Sequence, residues 1–433
     1  MKKLPVSLLA SATLLVTASS LAEPGPPTDR AELVRLALER SPALEAARER
    51  AEATSTSAGA EARLPAPEAM VSIWQVPLSR PWAVNDSGMV MVGVQQSFPA
   101  PGSLGARRDA REKEADVERA MVAMRARDIT REVEHAHADW IESTLRHGVH
   151  TRHRELADRV LRLARARHAA GGSLTDLTEA DVEVTRAGAD VATDGSRVVA
   201  AQVRINALLA RDPATPLPPP VAPPPEVPAW SAEEIVTHAL ASRPELRAAA
   251  AGETARAHEL RASDRETTWP SFSVAALYFA PVGPAPMHGY GVNGSVSLPW
   301  LWGPAAARRS ADEKRHAAAR TEVLGVRNAI RAEAITASAT AHAAAARVDA
   351  LEQRTLPASR RALEALLSGY ESGHTDLARV LVARRAVVDV EMDLVGARAA
   401  LDHAMTDLDA AVGARVPRRP LAAIREEGAS DVQ

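Results

Sequence analysis

The chain has 433 residues, 46 % apolar and 25 % charged, with a net charge of −3, 3 % aromatics, 30 prolines and no cysteine. That length allows two or three average domains; the missing cysteines exclude a disulfide framework, a thiolate zinc site, a cysteine nucleophile and lipidation on cysteine; and the near-neutral charge gives no basis for a nucleic-acid partner. A mean hydropathy of −0.16 argues against a multi-span helical membrane protein, but not against a β-barrel, whose alternating strands hide from such averages.

The chain opens with Lys2 and Lys3, a short apolar run, and Ser20-Leu21-Ala22 before Glu23-Pro24. This pattern predicts a signal peptide over residues 1–22, cleaved near Ala22. No later run of 18 apolar residues appears, so the exported chain is expected to lack a spanning helix.

The remainder is one plan written twice. A first repeat over 23–211 opens with Glu32-Leu33-Val34, Ala37-Leu38 and Ser41-Pro42-Ala43-Leu44. A second over 231–416 opens with Glu234-Ile235-Val236, Ala239-Leu240 and Arg243-Pro244-Glu245-Leu246, an offset of 202. Ser97-Phe98-Pro99 returns as Ser297-Leu298-Pro299, and Arg107-Arg108 as Arg308-Arg309. Such self-similarity is the mark of duplication. Between the copies, residues 212–230 form a proline-rich linker that reads as an extended strap outside the core, and residues 417–433 read as a flexible tail.

Each copy predicts two short helices, a pair of strands (about 68–98 and 269–299) and a long helical hairpin (about 103–210 and 304–413). From Ser103 to Ala169 there is no proline, and 67 helical residues would reach about 100 Å. The returning helices carry heptad seams. In the first, Leu177, Val184, Val191, Val198 and Ile205 fall every seventh residue, with Asp194 the one lapse at the companion position; in the second, Val380, Val387, Leu394, Leu401 and Leu408 do so. An antiparallel coiled coil in a soluble bundle would show the same period.

The strands separate those readings. Phe272, Val274, Ala276 and Tyr278 alternate with small residues, as do Tyr290, Val292, Gly294, Val296 and Leu298, and Val90, Val92, Val94 and Phe98. Ten of the thirteen aromatics, Trp74, Trp82, Phe98, Trp269, Phe272, Tyr278, Phe279, Tyr290, Trp300 and Trp302, lie in or beside these pairs. Aromatics gather at membrane interfaces because they join apolar area to a polar tip; Trp74, Phe98, Phe272, Tyr278, Tyr290 and Trp300 are the candidates for that role. Four strands cannot close a barrel, and open edges are not tolerated in lipid. Closure therefore requires other subunits.

These features, with Val92-Gly93-Val94-Gln95-Gln96-Ser97-Phe98-Pro99 and the turns around Gly171-Gly172-Ser173-Leu174-Thr175-Asp176-Leu177 and Gly369-Tyr370-Glu371-Ser372-Gly373, resemble the TolC family of outer-membrane efflux proteins across nearly the whole mature chain. The wording at residues 66–70 and 92–99 is most similar to its heavy-metal efflux branch. The resemblance implies a mainly α protein with membrane β: a homotrimer whose 12-stranded β-barrel in the outer-membrane lipid continues as a 12-helix periplasmic α-barrel. It further implies a passive duct, without cofactor, coupled through a periplasmic adaptor to an inner-membrane transporter. On the same resemblance Gly171, Gly172, Leu174, Asp176, Gly373 and Leu377 are the candidate adaptor-docking tips, and Tyr370, Asp176 and Arg379 the candidate tunnel gate, with the Tyr370 hydroxyl expected to bond across to the first hairpin. At an offset of 203 Leu174 aligns with Leu377, and Asp176 with Arg379, so the second tip departs from an acidic ring.

His135, His137, His147, His150 and His153 share one helix without a tight chelating face and read as solvated or tunnel-lining. No phosphate loop, G-x-S-x-G or H-E-x-x-H motif is present, and no metal or catalytic constellation emerges. A periplasmic coiled-coil adaptor or scaffold is the alternative. It would carry one hairpin rather than two, each preceded by lipid-patterned strands.

Overall fold

The computed structural model describes residues 29–74, 76, 78–82, 89–281, 288–301 and 303–423. The expected signal peptide, Trp302 and the last ten residues lie outside the described residues. The first repeat comprises α1 (Arg30–Arg40), α2 (Pro42–Glu61), β1 (Glu68–Trp74), β2 (Met89–Phe98), α3 (Ser103–Ala169) and α4 (Leu174–Leu208). The second comprises α5 (Ala232–Ser242), α6 (Pro244–Thr268), β4 (Ser271–Pro281), β5 (Gly289–Ser297), α7 (Ala305–Ala350), α8 (Leu356–Glu371) and α9 (Leu377–Val412). Two short strands, β3 (Glu226–Pro228) and β6 (Arg418–Pro420), pair with each other.

Local chemistry sets the helix starts. Ser41 and Ser231 accept backbone N–H bonds at the heads of α2 and α5, the latter in a full capping box with Glu234, which satisfies donors that the first turn leaves free. Prolines 42 and 244 occupy first-turn positions where no N–H is needed. Pro357 also falls at such a position in α8, and the single π turn Leu351–Thr355 that joins α7 to α8 comes just before it. A proline ring lacks the N–H and crowds the carbonyl four residues back, which a wider turn relieves.

The long helices lie side by side. Directly beneath the sheet α3 packs on α2 and α6, and α6 on α7; lower down α3 packs on α4 and α9, and α9 on α7 and α8. The duplication shows in the core. Leu33 and Ala37 are fully buried against α3, and their counterparts 202 residues on, Ile235 and Ala239, are fully buried in the core built on α7 and α9. A third core at the far end joins Val160, Leu161 and Ala164 of α3, Ala180 of α4, Leu363 and Tyr370 of α8 and Leu377 and Val380 of α9.

Three expectations need correction. The proline-rich linker is not merely a strap: Leu217 and Val227 are buried in the two upper cores, because the PPII-like segment presents its few aliphatics to the helices it crosses. The tail is not free from residue 417; β6 pairs with β3, Leu421 is buried, and Arg418 bonds Asp409 at 2.7 Å. The histidines are not a solvated or tunnel-lining row. His147 and His150 turn to α4, meeting the Val191 carbonyl at 3.2 Å and Asp194 at 2.7 Å, while His135 and His153 turn to α9, meeting Asp407 at 2.8 Å and Glu391 at 3.1 Å. Steps of three drift around a helix, and α3 has a neighbour on each side. The Asp194 lapse in the seam is the buried acceptor for His150 and Arg197.

Candidate functional site

Two regions carry chemistry, the sheet at one end and the hairpin tips at the other. The sheet runs β1-β2-β4-β5, all antiparallel, with β1 and β5 as its edges. Register aligns one apolar face across all four strands. Val71 pairs with Val92, Val92 with Tyr278, and Tyr278 with Tyr290; Ala69, Val94, Ala276 and Val292 form the next row; Phe98, Phe272 and Val296 form a third. Val71, Val92, Val94, Phe272, Tyr278, Tyr290, Val292 and Val296 are all exposed. So large a contiguous apolar surface marks an interaction with lipid or protein.

The aromatics sit at the edges of that face. Phe98 and Phe272 lie opposite each other near the helical end, and Tyr278 and Tyr290 near the other. From Trp269 to Tyr278 the chain advances about 30 Å, which at a barrel tilt of about 40° spans about 23 Å, close to the roughly 25 Å apolar band of membrane barrels. Trp300 is exposed just beyond β5. Trp74 departs from the expected set: with alternation it shares the face of Met70 and Ser72, opposite Val71 and Ile73. That second face is serine-, asparagine- and glycine-rich along β5 and small or polar along the first half of β4, with Leu277 and Phe279 at its far end. Ser273 and Ser295 share a 2.6 Å hydrogen bond, and the Phe279 ring covers Gly291 so closely that a Cβ there would lie 2.7 Å from it.

At the opposite end, Gly171 (φ +93°) and Gly373 (φ +83°) reverse the two hairpins, a left-handed backbone that glycine adopts without strain. Ser173 and Asp376 cap the returning helices. Tyr370 is 1 % exposed. Its hydroxyl donates to Asp176 at 3.2 Å, and the Arg167 guanidinium lies 4.4 Å above its ring while donating to the Tyr370 carbonyl at 3.1 Å. The phenol pKa is raised, first by burial. Tyr370 of the second hairpin is thus clasped by Arg167 and Asp176 of the first.

The expected gate residues separate here. Tyr370 and Asp176 touch, but Arg379 is exposed and paired at 3.6 Å with its own helix cap, Asp376; Arg167 supplies the positive charge instead. The expected docking residues separate too. Gly171, Gly172, Leu174 and Gly373 are exposed, whereas Leu377 is fully buried in the lower core. Repeat alignment equated Leu174 with Leu377, but the two hairpins present those positions differently. Arg167 was missed by the sequence reading; a cation in the last turn of a helix was the available signal.

Above the tip, two buried carboxylates tie the hairpins together. Glu183 of α4 pairs with Arg384 and Arg385 of α9. Glu391 of α9 accepts from His153 of α3 at 3.1 Å and Arg360 of α8 at 2.5 Å, and these bonds, His153 first, hold its pKa down to about 2.

The chain thus presents an exposed apolar sheet with two open edges, continued by paired helical hairpins. Residues 235–414 match the family model for outer membrane efflux protein. No curated protein matches the chain. Among solved structures the fold is similar to that of CusC (16 % identity, TM-score 0.75, covering 89 % of this chain and 92 % of that one). It is similar also to VceC from Vibrio cholerae (17 %, 0.72, 89 % and 96 %) and to the open state of MtrE from Neisseria gonorrhoeae (19 %, 0.67, 89 % and 89 %). The chain has the TolC-like fold, and its second repeat matches the outer membrane efflux protein family model.

Proposed function

We propose that the chain is one of three identical protomers of an outer-membrane duct, with a periplasmic adaptor and an inner-membrane transporter as partners. The observation that carries this reading is the four-stranded sheet: one face is apolar and rimmed by aromatics, yet both edge strands are open. In hydrocarbon an unpaired edge costs several kcal/mol per backbone group. Pairing β1 of one protomer with β5 of the next removes every edge, and three copies give twelve strands, an allowed closure. The helices beneath then close into a tunnel of the same symmetry.

Solutes pass without bond making. On this reading the serine and glycine face of β4 and β5 lines the bore, and the Tyr370–Asp176–Arg167 clasp biases the tips toward closure. An adaptor that binds the open tips better than the closed ones shifts that equilibrium. Leu174, exposed beside Gly171 and Gly172, is the contact proposed for it. The cargo of this chain follows from its transporter. Because the chain has no cysteine, paired cysteines placed along β1 and β5 report subunit closure without background. Covalent trimers in outer-membrane fractions support the assembly; protein that washes free of membranes and stays monomeric overturns it.

A further inference from the structure

Trp74 faces away from the lipid-patterned side of the sheet, and the register places five further large apolar side chains on that same second face. Counted from the helical end, the face begins with polar rows: Ser97, Ser273 and Ser295 stand side by side, then Glu68, Gln95, Ala275 and Asn293. The next row joins Met70, Gly93, Leu277 and Gly291, the one after it Ser72, Met91, Phe279 and Gly289, and the last begins with Trp74 and Met89. The half nearer the helices is therefore polar and the outer half apolar. Three rows spaced two residues apart make an apolar band about 14 Å deep.

Glycines shape this band. The Phe279 ring covers Gly291 and Gly289 of β5, where added Cβ atoms would lie 2.7 and 3.6 Å from it, and Leu277 covers Gly93 of β2, at 2.6 Å. A bulky side chain beside glycine lies flat along the sheet, so these two coat the wall. Met91 is buried between them and β1, whereas Trp74 is 60 % exposed. The three rows hold no charged residue, so nothing in them attracts a hydrated ion. Water-filled barrel interiors are polar, and twelve strands enclose more space than the eight whose side chains fill a barrel. An apolar band on that side has neither lipid nor a packed core against it, and apolar surface of this kind marks a contact with something that covers it.

We propose that this band, completed by the three protomers, is a solute-binding site inside the barrel, which retains amphipathic organic molecules by laying their hydrocarbon or aromatic parts against Met70, Trp74 and Phe279. Their polar parts stay in the water of the bore, and the serine and asparagine rows below hold no such molecule. The inference rests on the duct reading and adds to it a place near the outer mouth where the wall itself discriminates among solutes.

The test uses the full-length protein in planar bilayers, with tetrapentylammonium as probe and tetramethylammonium as control, each added from the side of the sheet's outer end. Both carry one positive charge, so Glu68 attracts them alike, and they differ in hydrocarbon surface. Interruptions of the open-channel current by tetrapentylammonium are expected to last at least tenfold longer than those by tetramethylammonium. The double variant Met70→Gln/Trp74→Ser, which leaves Leu277 and Phe279 on their glycines, should shorten the tetrapentylammonium interruptions at least tenfold and move those of tetramethylammonium less than twofold. Met70→Gln alone, at a half-buried position, should give an intermediate shortening. Equal interruptions by the two cations, or tetrapentylammonium interruptions that neither variant shortens, overturn the site. Protein that forms no channels in the bilayer overturns the duct reading, and this inference with it.

Discussion

The clasp at the tips makes its sharpest prediction for Tyr370→Phe. The change removes only the hydroxyl. The ring stays in place, so Arg167 keeps its position 4.4 Å above it and its bond to the backbone carbonyl. What is lost is a hydrogen bond of 3.2 Å to Asp176. Bonds to an ionised partner contribute about 1.5–3 kcal/mol, and because Asp176 is only half-buried, water can solvate the freed carboxylate. The lower end, about 1.5 kcal/mol, is therefore the appropriate figure, close to a tenfold change in the closed-to-open ratio of one protomer. Three tips moving together would multiply to about a thousandfold. Single-channel recording in planar bilayers reads this directly as longer and more frequent openings at unchanged full conductance. Asp176→Asn should open the duct to a similar degree, and the double variant should add little beyond either single change. If Tyr370→Phe leaves open probability within twofold, or if the two changes are additive, the bond does not hold the tip closed.

Glu391→Gln tests the junction above the tip. A carboxylate held down to about 2 against an ordinary value near 4.3 contributes stability that is complete above the ordinary value and disappears as pH falls through the lowered one, a difference on the order of 3 kcal/mol. Thermal unfolding of the solubilised protein should therefore lose stability between about pH 4 and 2 in the native chain, with a smaller loss in the variant. Gly93→Ala should prevent assembly, since its Cβ would fall 2.4 Å from the Ala276 carbonyl oxygen and close to Leu277 in the neighbouring strand; heat-modifiable migration of outer-membrane fractions would reveal the missing barrel. Arg243→Ala should destabilise the second repeat by about 3 kcal/mol, because this buried guanidinium donates to the Ala410 and Ala411 carbonyls at the end of α9 and pairs with Glu333 at 2.9 Å. Calorimetry should show a Tm fall of several degrees. Leu174→Ser should reduce adaptor capture in pull-downs at least several-fold while leaving trimers intact.

Period and composition alone determined a great deal of this protein. Heptad spacing and the absence of proline specify α3, α4 and α9, because a seam repeating every seven residues has one satisfactory backbone. Alternation in β2, β4 and β5 specifies which side chains share a face, since a one-residue slip would turn the whole apolar set inward. The equivalence of Leu33 with Ile235, and of Ala37 with Ala239, was legible as an offset of 202 residues because duplication copies a burial pattern along with its letters.

Tertiary structure decided what depends on which neighbour a residue meets. Nothing in the letters places Asp194 as the acceptor for His150, sends His153 to Glu391, or separates Leu174 on the surface from Leu377 in the core. Arg379 aligns with Asp176 yet turns back to Asp376, the cap of its own helix, while Arg167, in a different helix, reaches Tyr370. A linear period fixes orientation about one helix axis, but an ion pair or a buried donor is fixed by the angle and height at which a second helix passes. Those are set by packing of the whole wall, not by any segment within it.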